Sequence, residues 1–227
     1  MSSESVAVVL SGCGVYDGTE IHEVAAVCVA LSKLGKTPVF YAPDKVQFHE
    51  VNHVNGSSDN ETKRNVLVES GRIARGKVLA LGELQVTSAD AVIFPGGFGA
   101  AKNLSTFGVS ENPVVDQEVE RVLVEFHEAK KPIGLCCISP ILAAMVFGGK
   151  DIKVKLTLGK QGDGWPFGGT LDKAKEFGAE VVEMNVNEVC IDEEHKIVTS
   201  PAFMYDGKFH EIQEGVTQMV NAVVDLI

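Results

Sequence analysis

Pro132-Ile-Gly-Leu-Cys-Cys-Ile-Ser-Pro-Ile-Leu-Ala-Ala-Met145 runs an apolar strand pattern into a cysteine pair and then directly into a helix pattern. Ser139 is placed to cap that helix, and Pro140 stands at its first position, where a missing N–H costs nothing. A cysteine at such a turn sits at the end of a sheet and under a helix N-terminus, whose partial positive charge favours thiolate over thiol. This is the layout of a nucleophile elbow.

Strand and helix signals alternate on both sides of this stretch. Residues 6–11 read as a buried strand, 19–34 as a helix that stops at Gly35, and 37–42 as a second strand. Residues 44–62 are polar and loop-like, with Asn55-Gly-Ser-Ser-Asp-Asn60 as the strongest turn signal. A helix pattern over 63–75 ends at Gly76, and a strand over 91–94 breaks at Pro95-Gly-Gly97. Residues 113–130 are amphipathic, with Val115, Val119, Val122 and Phe126 on one face. Residues 133–136 and 140–147 are the strand and helix of the elbow. Short strands are expected at 153–158, 181–182, 189–191 and 197–199, and helices over 170–177 and 209–226. The alternation predicts an α/β sandwich with a mostly parallel central sheet, in a single domain over 1–227. In such a sheet ligands bind beyond the carboxyl ends of the strands. Gly12-Cys-Gly14, Pro95-Gly-Gly-Phe-Gly99 and Cys137 each follow a strand, so they are expected on one shared rim.

The rim carries the chemistry. Cys13, Cys28 and Cys190 read as small hydrophobes. Side chains alternate along a strand, so Cys136 and Cys137 point different ways. Cys137, with the helix start directly after it, is the candidate nucleophile; Cys136 reads as packing or a secondary redox thiol. Gly96 and Gly97 offer backbone N–H groups with no Cβ in the way, and the N–H of Ile138 is a further donor for an oxyanion. Gly18-Thr-Glu-Ile-His-Glu23 supplies Glu20 and Glu23, spaced i,i+3 on one helix face. For Glu20 an ordinary place in the first helical turn stands beside a role in the site. His22 points about 100° away from Glu23, and with His127, His195 and His210 it reads as a surface residue. Ile138 stands where a histidine would serve a hydrolytic triad, so efficient amide hydrolysis is not expected. A thiol poised against a carboxylic acid suits thiohemiacetal chemistry with an aldehyde, or oxidation to a sulfenic or sulfinic acid.

Other features are blander. Gly12-Cys-Gly-Val-Tyr-Asp-Gly18 is spaced GxGxxxG, which departs from the dinucleotide fingerprint, and the acidic pair beside it would repel a pyrophosphate. No cofactor is expected. The cysteines lack zinc spacing, so no metal site is expected, and five scattered cysteines form no disulfide framework. Arg64, Arg72 and Arg75 lie near Glu69 and read as helical salt-bridge partners, with an anion site or a subunit contact as the alternative. The net charge of −11 argues against nucleic acid and anionic membrane surfaces as partners. No apolar run reaches the roughly 20 residues that span a bilayer. Met1-Ser-Ser-Glu-Ser5 carries neither a signal-peptide core nor an Arg-rich presequence. A reducing compartment, the cytoplasm, is therefore expected, or mitochondria if a presequence has been removed.

Five segments together resemble a known family: Ser11-Gly-Cys-Gly-Val-Tyr-Asp-Gly-Thr-Glu-Ile-His-Glu23, Arg64-Asn-Val-Leu-Val-Glu69, Pro95-Gly-Gly-Phe-Gly-Ala-Ala-Lys-Asn-Leu-Ser105, Gly134-Leu-Cys-Cys-Ile-Ser-Pro140 and Thr199-Ser-Pro-Ala-Phe203. They are similar to the ES1/ElbB branch of the DJ-1/PfpI, class I glutamine amidotransferase-like superfamily. The resemblance implies a flavodoxin-like three-layer sandwich. It carries the elbow cysteine onto Cys137, the carboxylate that bonds the thiol onto Glu23, and the oxyanion turn onto Gly96 and Gly97. It also implies a homodimer, and a superfamily whose members include glyoxalases, deglycases, chaperones and proteases. The ElbB branch resembles weak glyoxalases and is linked by name to isoprenoid metabolism; animal relatives are mitochondrial. The chain departs from the protease-type pattern at Ile138. The resulting expectation is a cysteine-dependent, glutathione-independent glyoxalase-like enzyme of weak activity on small 2-oxoaldehydes such as glyoxal or methylglyoxal. Cys137 would attack, Gly97 and Ile138 would hold the oxyanion, Glu23 would move the proton, and Glu20 would stand in the substrate site. The alternative is a non-enzymatic redox sensor or protein-quality-control partner that uses the same thiol; an amidotransferase-like hydrolase ranks last.

Overall fold

The computed structural model describes residues 5–61 and 63–227; the N-terminal reading rests largely on residues 1–4, outside them. The strands in chain order are β1 (Ser5–Val9), β2 (Thr37–Ala42), β3 (Glu50–Val51), β4 (Ser58–Asp59), β5 (Val78–Ala80), β6 (Ala91–Phe94), β7 (Ile133–Cys136), β8 (Lys155–Leu156), β9 (Glu180–Val181), β10 (Cys190–Asp192) and β11 (Ile197–Ser200). The helices are α1 (Ile21–Lys33), α2 (Val66–Ile73), α3 (Phe98–Lys102), α4 (Gln117–Glu128), α5 (Pro140–Gly148), α6 (Gly169–Glu176) and α7 (Phe209–Asp225).

Seven strands form the central sheet in the order β10-β11-β7-β6-β1-β2-β5. All neighbours run parallel except the edge pair β10–β11. The inner strands are apolar along their whole length because both their faces are covered: Val6–Val9 and Ala91–Phe94 are solvent-free throughout. Helices α4 and α7 both pack on β7, with α5 beside α4 and α1 beside α7. That gives a three-layer sandwich of the flavodoxin-like kind. The approach of α7 is close: a Cβ on Gly134 would lie 2.9 Å from a Val223 methyl. Among the described residues no helix is long and apolar enough to cross a membrane.

Several elements differ from the sequence reading for local reasons. Asn65 accepts the Val68 N–H, so α2 starts at Val66 and not at residue 63. Asp116 caps α4 through the Glu118 N–H, and the preceding residues stay extended, with Val115 bridged to Ser105. The polar stretch 44–62 holds the two-residue hairpin β3–β4. Strand β5 and the five-residue α3 had no sequence signal of their own.

Candidate active site

The elbow is the strained point of the backbone. Cys137 has φ +59°, a left-handed conformation that costs a side-chain-bearing residue about 1–3 kcal/mol and persists only where its surroundings impose it. They do so here. The Cys137 N–H donates to Ser200 O at 3.0 Å, tying the turn to the end of β11. The Ser139 hydroxyl donates to Pro95 O at 2.7 Å, tying it to the loop after β6. Ser139 is therefore not the side-chain cap that the sequence suggested; its own backbone is already helical and its oxygen is spent across the rim. Pro140 does open α5.

Glu23, fully buried on α1, lies behind the thiol. Its carboxyl accepts the Gly96 N–H at 2.9 Å and the Phe203 N–H at 3.2 Å, and it hydrogen-bonds the Cys137 side chain. The Cys136 thiol faces the same oxygen as Gly96, at 3.8 Å. Burial, and then the neighbouring Glu20 charge, push the Glu23 carboxyl up to about 7. Burial and the Glu23 charge hold the Cys137 thiol well above its ordinary value, while the Gly97 and Ile138 N–H groups pull it back. The thiolate preference expected from the helix terminus alone is thus outweighed. The two groups are coupled, and the carboxyl gives up its proton before the thiol does.

This pair has a cost in stability. The folded carboxyl binds its proton more tightly than the unfolded one, so its contribution is fully present below about pH 4.5 and is lost as pH rises through 7. The swing is on the order of 3 kcal/mol. Glu23→Gln keeps the shape and removes the titration, although its amide loses one acceptor at every pH. Denaturant unfolding at pH 5 and pH 8 should therefore show the variant gaining on wild type at the higher pH. A constant gap between the two proteins would mean that Glu23 is not perturbed.

The glycines let these parts meet. A Cβ on Gly96 would stand 2.3 Å from Cys137 Cβ and 2.6 Å from a Glu23 oxygen. Gly97 has φ +95°, and a Cβ there would meet the Gly18 carbonyl and the Glu20 N–H. The loops after β1 and β6 are stitched together: Phe98 N–H donates to Val15 O, Gly99 N–H to Gly18 O, and Glu20 N–H to Gly96 O. The shared rim expected from the order of elements is present.

A cavity of about 320 Å³ opens beside the thiol, lined by Cys137, Ile138, Gly97 and Glu20 among others. Glu23 and Gly96 sit behind the sulfur and off this wall. Glu20 does two things at once. It caps α1 by accepting the Glu23 N–H at 2.7 Å, and its other oxygen meets His22 Nδ1 at 2.7 Å. His22 also lines the cavity, its ring against Phe209 at 4.6 Å. His22 is exposed, as the sequence predicts, with 58% of its side chain accessible; what the helical angles do not show is that it also reaches the cavity wall. The signal available was its position two residues from a capping carboxylate, which pulls the imidazole back towards the helix start.

The remaining candidates fall elsewhere. Arg64 pairs with Glu50 and Glu69, and Arg72 with Glu69, in keeping with the salt-bridge reading of those two residues. His127 and His195 meet each other at 3.0 Å on the far end of α4. Cys28 and Cys190 are pushed up to about 11 by burial. Among the described residues no group of three or more His, Cys, Asp or Glu is arranged to hold a metal ion.

No family model matches the chain. The rat protein named ES1 protein homolog, mitochondrial, is 51% identical over 225 residues, covering 97% of this chain and 83% of its own. The human glutamine amidotransferase-like class 1 domain-containing protein 3, mitochondrial, is also 51% identical over 225 residues, covering 97% and 82%. Among solved structures, an isoprenoid biosynthesis protein with an amidotransferase-like domain from Ehrlichia chaffeensis superposes with a TM-score of 0.89 at 31% identity, over 98% of this chain and 100% of that one. A ThiJ/PfpI domain protein from Brachyspira murdochii shares the fold at a TM-score of 0.60 and 12% identity, over 99% of each chain. With half its residues shared over nearly its whole length, the chain belongs to the ES1 family, on the amidotransferase-like fold of the DJ-1/ThiJ/PfpI proteins.

Proposed function

We propose that this chain is a cysteine-dependent, glutathione-independent glyoxalase-like enzyme that converts 2-oxoaldehydes into 2-hydroxy acids. One observation carries the reading: a thiol hydrogen-bonded to a buried carboxylic acid that is pushed up to about 7, set beside a small cavity and two backbone N–H donors. The Cys137 sulfur adds to the aldehyde carbon as its proton passes to Glu23, giving a hemithioacetal. The Gly97 and Ile138 amides, which hydrogen-bond the resting sulfur, are the donors at hand for the new oxyanion. The proton on the former aldehyde carbon is then moved to the neighbouring carbonyl carbon through an enediol, with Glu23 as the acid–base group. That step oxidises the first carbon to a thioester and reduces the second to an alcohol, so no external oxidant is needed. Water cleaves the thioester and returns the thiol. An acid near pH 7 suits both directions of proton transfer.

His22, held by Glu20 on the same wall, offers a second acid–base pair for the substrate oxygens. The mitochondrial names of the rat and human relatives are consistent with the second of the two locations expected from the sequence.

The pair can be tested directly. Alkylation of Cys137 and formation of lactate from methylglyoxal should both rise with pH through about 7 in the wild type. In Glu23→Gln that limb should vanish, leaving only the thiol's own titration, with turnover down by roughly 10²–10⁴-fold. Identical profiles in the two proteins would rule out Glu23 as the proton partner.

A further inference from the structure

The cavity beside Cys137 is larger and more apolar than a three-carbon aldehyde requires. Its volume of about 320 Å³ falls within the range of pockets that hold drug-sized ligands. Aromatic rings dominate its wall: Tyr16 from the loop after β1, Phe98 at the start of α3, Phe167 from the glycine-rich loop 159–168, Phe203 after β11 and Phe209 at the start of α7. Phe98 and Phe167 meet edge to face at 5.8 Å, and so do Phe203 and Phe209 at 5.9 Å. The loop that brings Phe167 is fixed. Trp165 packs against Tyr205 with the rings tilted by 43° and 4.9 Å apart, and the Asp206 N–H donates to Gly164 O at 2.8 Å.

Three of these rings are not spent on the core. Phe209 is 65% exposed, Tyr16 42% and Phe167 38%. Apolar area of that kind gains free energy when a ligand covers it. The charge on the wall points the same way. Glu20 faces the cavity, and among the described residues that line it there is no lysine or arginine. Of the basic groups against this wall, His22 is engaged by Glu20 at 2.7 Å and Lys102 by Tyr16 O at 3.1 Å, so a carboxylate or phosphate on the substrate would meet Glu20 with these cations already taken.

We infer that the site selects 2-oxoaldehydes that carry an uncharged apolar substituent of about benzene size, an aryl or branched alkyl group, over glyoxal and methylglyoxal. The inference rests on the glyoxalase reading for its chemistry and adds the class of substituent. The reaction balances as before: the aldehyde carbon is oxidised to the acid, the ketone carbon is reduced to the alcohol, and one water is consumed.

The test compares kcat/KM for glyoxal, methylglyoxal, cyclohexylglyoxal, phenylglyoxal and 4-carboxyphenylglyoxal, with chiral analysis of the 2-hydroxy acid formed. The neutral, unreactive 2-hydroxyacetophenone is titrated separately into the Cys137→Ala protein by calorimetry. Cyclohexyl- and phenylglyoxal are expected to exceed methylglyoxal by roughly a hundredfold, since a single buried methylene is worth about ten- to two-hundredfold. The carboxylated analogue should lose that advantage. Phe167→Ala should shrink the phenyl-to-methyl ratio by about tenfold. Methylglyoxal turned over as well as phenylglyoxal, without binding of 2-hydroxyacetophenone, would overturn the substrate class and leave the glyoxalase reading in place. Binding of 2-hydroxyacetophenone with no turnover of any aldehyde would support the apolar ligand class and overturn the glyoxalase reading.

Discussion

Cys137→Ala is expected to abolish formation of lactate from methylglyoxal, by roughly 10³-fold or more, in a protein that stays folded. The reason lies in the balance between a local and a chemical loss. Alanine has the same backbone freedom as cysteine, so φ +59° costs the variant what it costs the wild type. The hydrogen bonds that impose that conformation come from the Cys137 N–H and the Ser139 hydroxyl, and neither involves the sulfur. Losing one small, nearly buried atom should cost about 1 kcal/mol of stability. The covalent intermediate, by contrast, has no other route. Cys136 cannot replace the lost thiol: it is the last residue of β7, fully buried, and it faces Glu23 from the side away from the cavity wall. Cys136→Ala is the matched control and should retain turnover within about an order of magnitude. Product analysis by chromatography, alongside circular dichroism of each variant, decides the matter. Undiminished turnover in folded Cys137→Ala would remove the covalent reading altogether.

That Cys137 and not Cys136 would reach the rim was legible in the sequence, because the start of a helix acts through the backbone alone; that both thiols would meet Glu23 was not. The layered fold was legible too. Residues buried on both faces of a parallel sheet form apolar runs that need no partner information, and β1, β6, β7 and β11 were read correctly for that reason. What failed was whatever depends on a partner far away in the chain. The Ser139 side chain looks like a cap until Pro95, 44 residues away, offers a carbonyl. Strand β5 is only Val78-Leu79-Ala80 and exists because β2 has a free edge. Residue types at the site were visible, and so was the upward push that burial beside a thiol gives the Glu23 carboxyl; the added push from Glu20, one helical turn away, and the raised Cys137 thiol were not.

Gly96→Ala is expected to lose turnover by on the order of 10²-fold while the sheet remains intact. Gly96 is outside the left-handed region, so its backbone would tolerate alanine. Space is the obstacle. The new methyl would fall 2.3 Å from Cys137 Cβ, 2.6 Å from a Glu23 oxygen and 2.9 Å from the Cys137 sulfur, against a normal approach of about 3.5–4.0 Å. None of these three can yield cheaply. Cys137 Cβ is fixed by the elbow, and Glu23 is pinned by the Gly96 and Phe203 N–H groups. The methyl must therefore part the thiol from the acid, or push the Gly96 N–H off the carboxylate. Overpacking of this kind costs about 1–3 kcal/mol of stability, a loss the rest of the core can carry. The chemical cost is larger, because proton transfer between Cys137 and Glu23 needs their contact. Gly169→Ala separates the two effects: it opens α6, no atom lies within 4 Å of its Cβ, and its stability should stay within about 0.5 kcal/mol of wild type with full turnover. In Gly96→Ala the alkylation profile should also lose its limb near pH 7, as in Glu23→Gln, even though both titrating residues are still present. A variant that keeps that limb and keeps its turnover would show that thiol and acid do not need to touch.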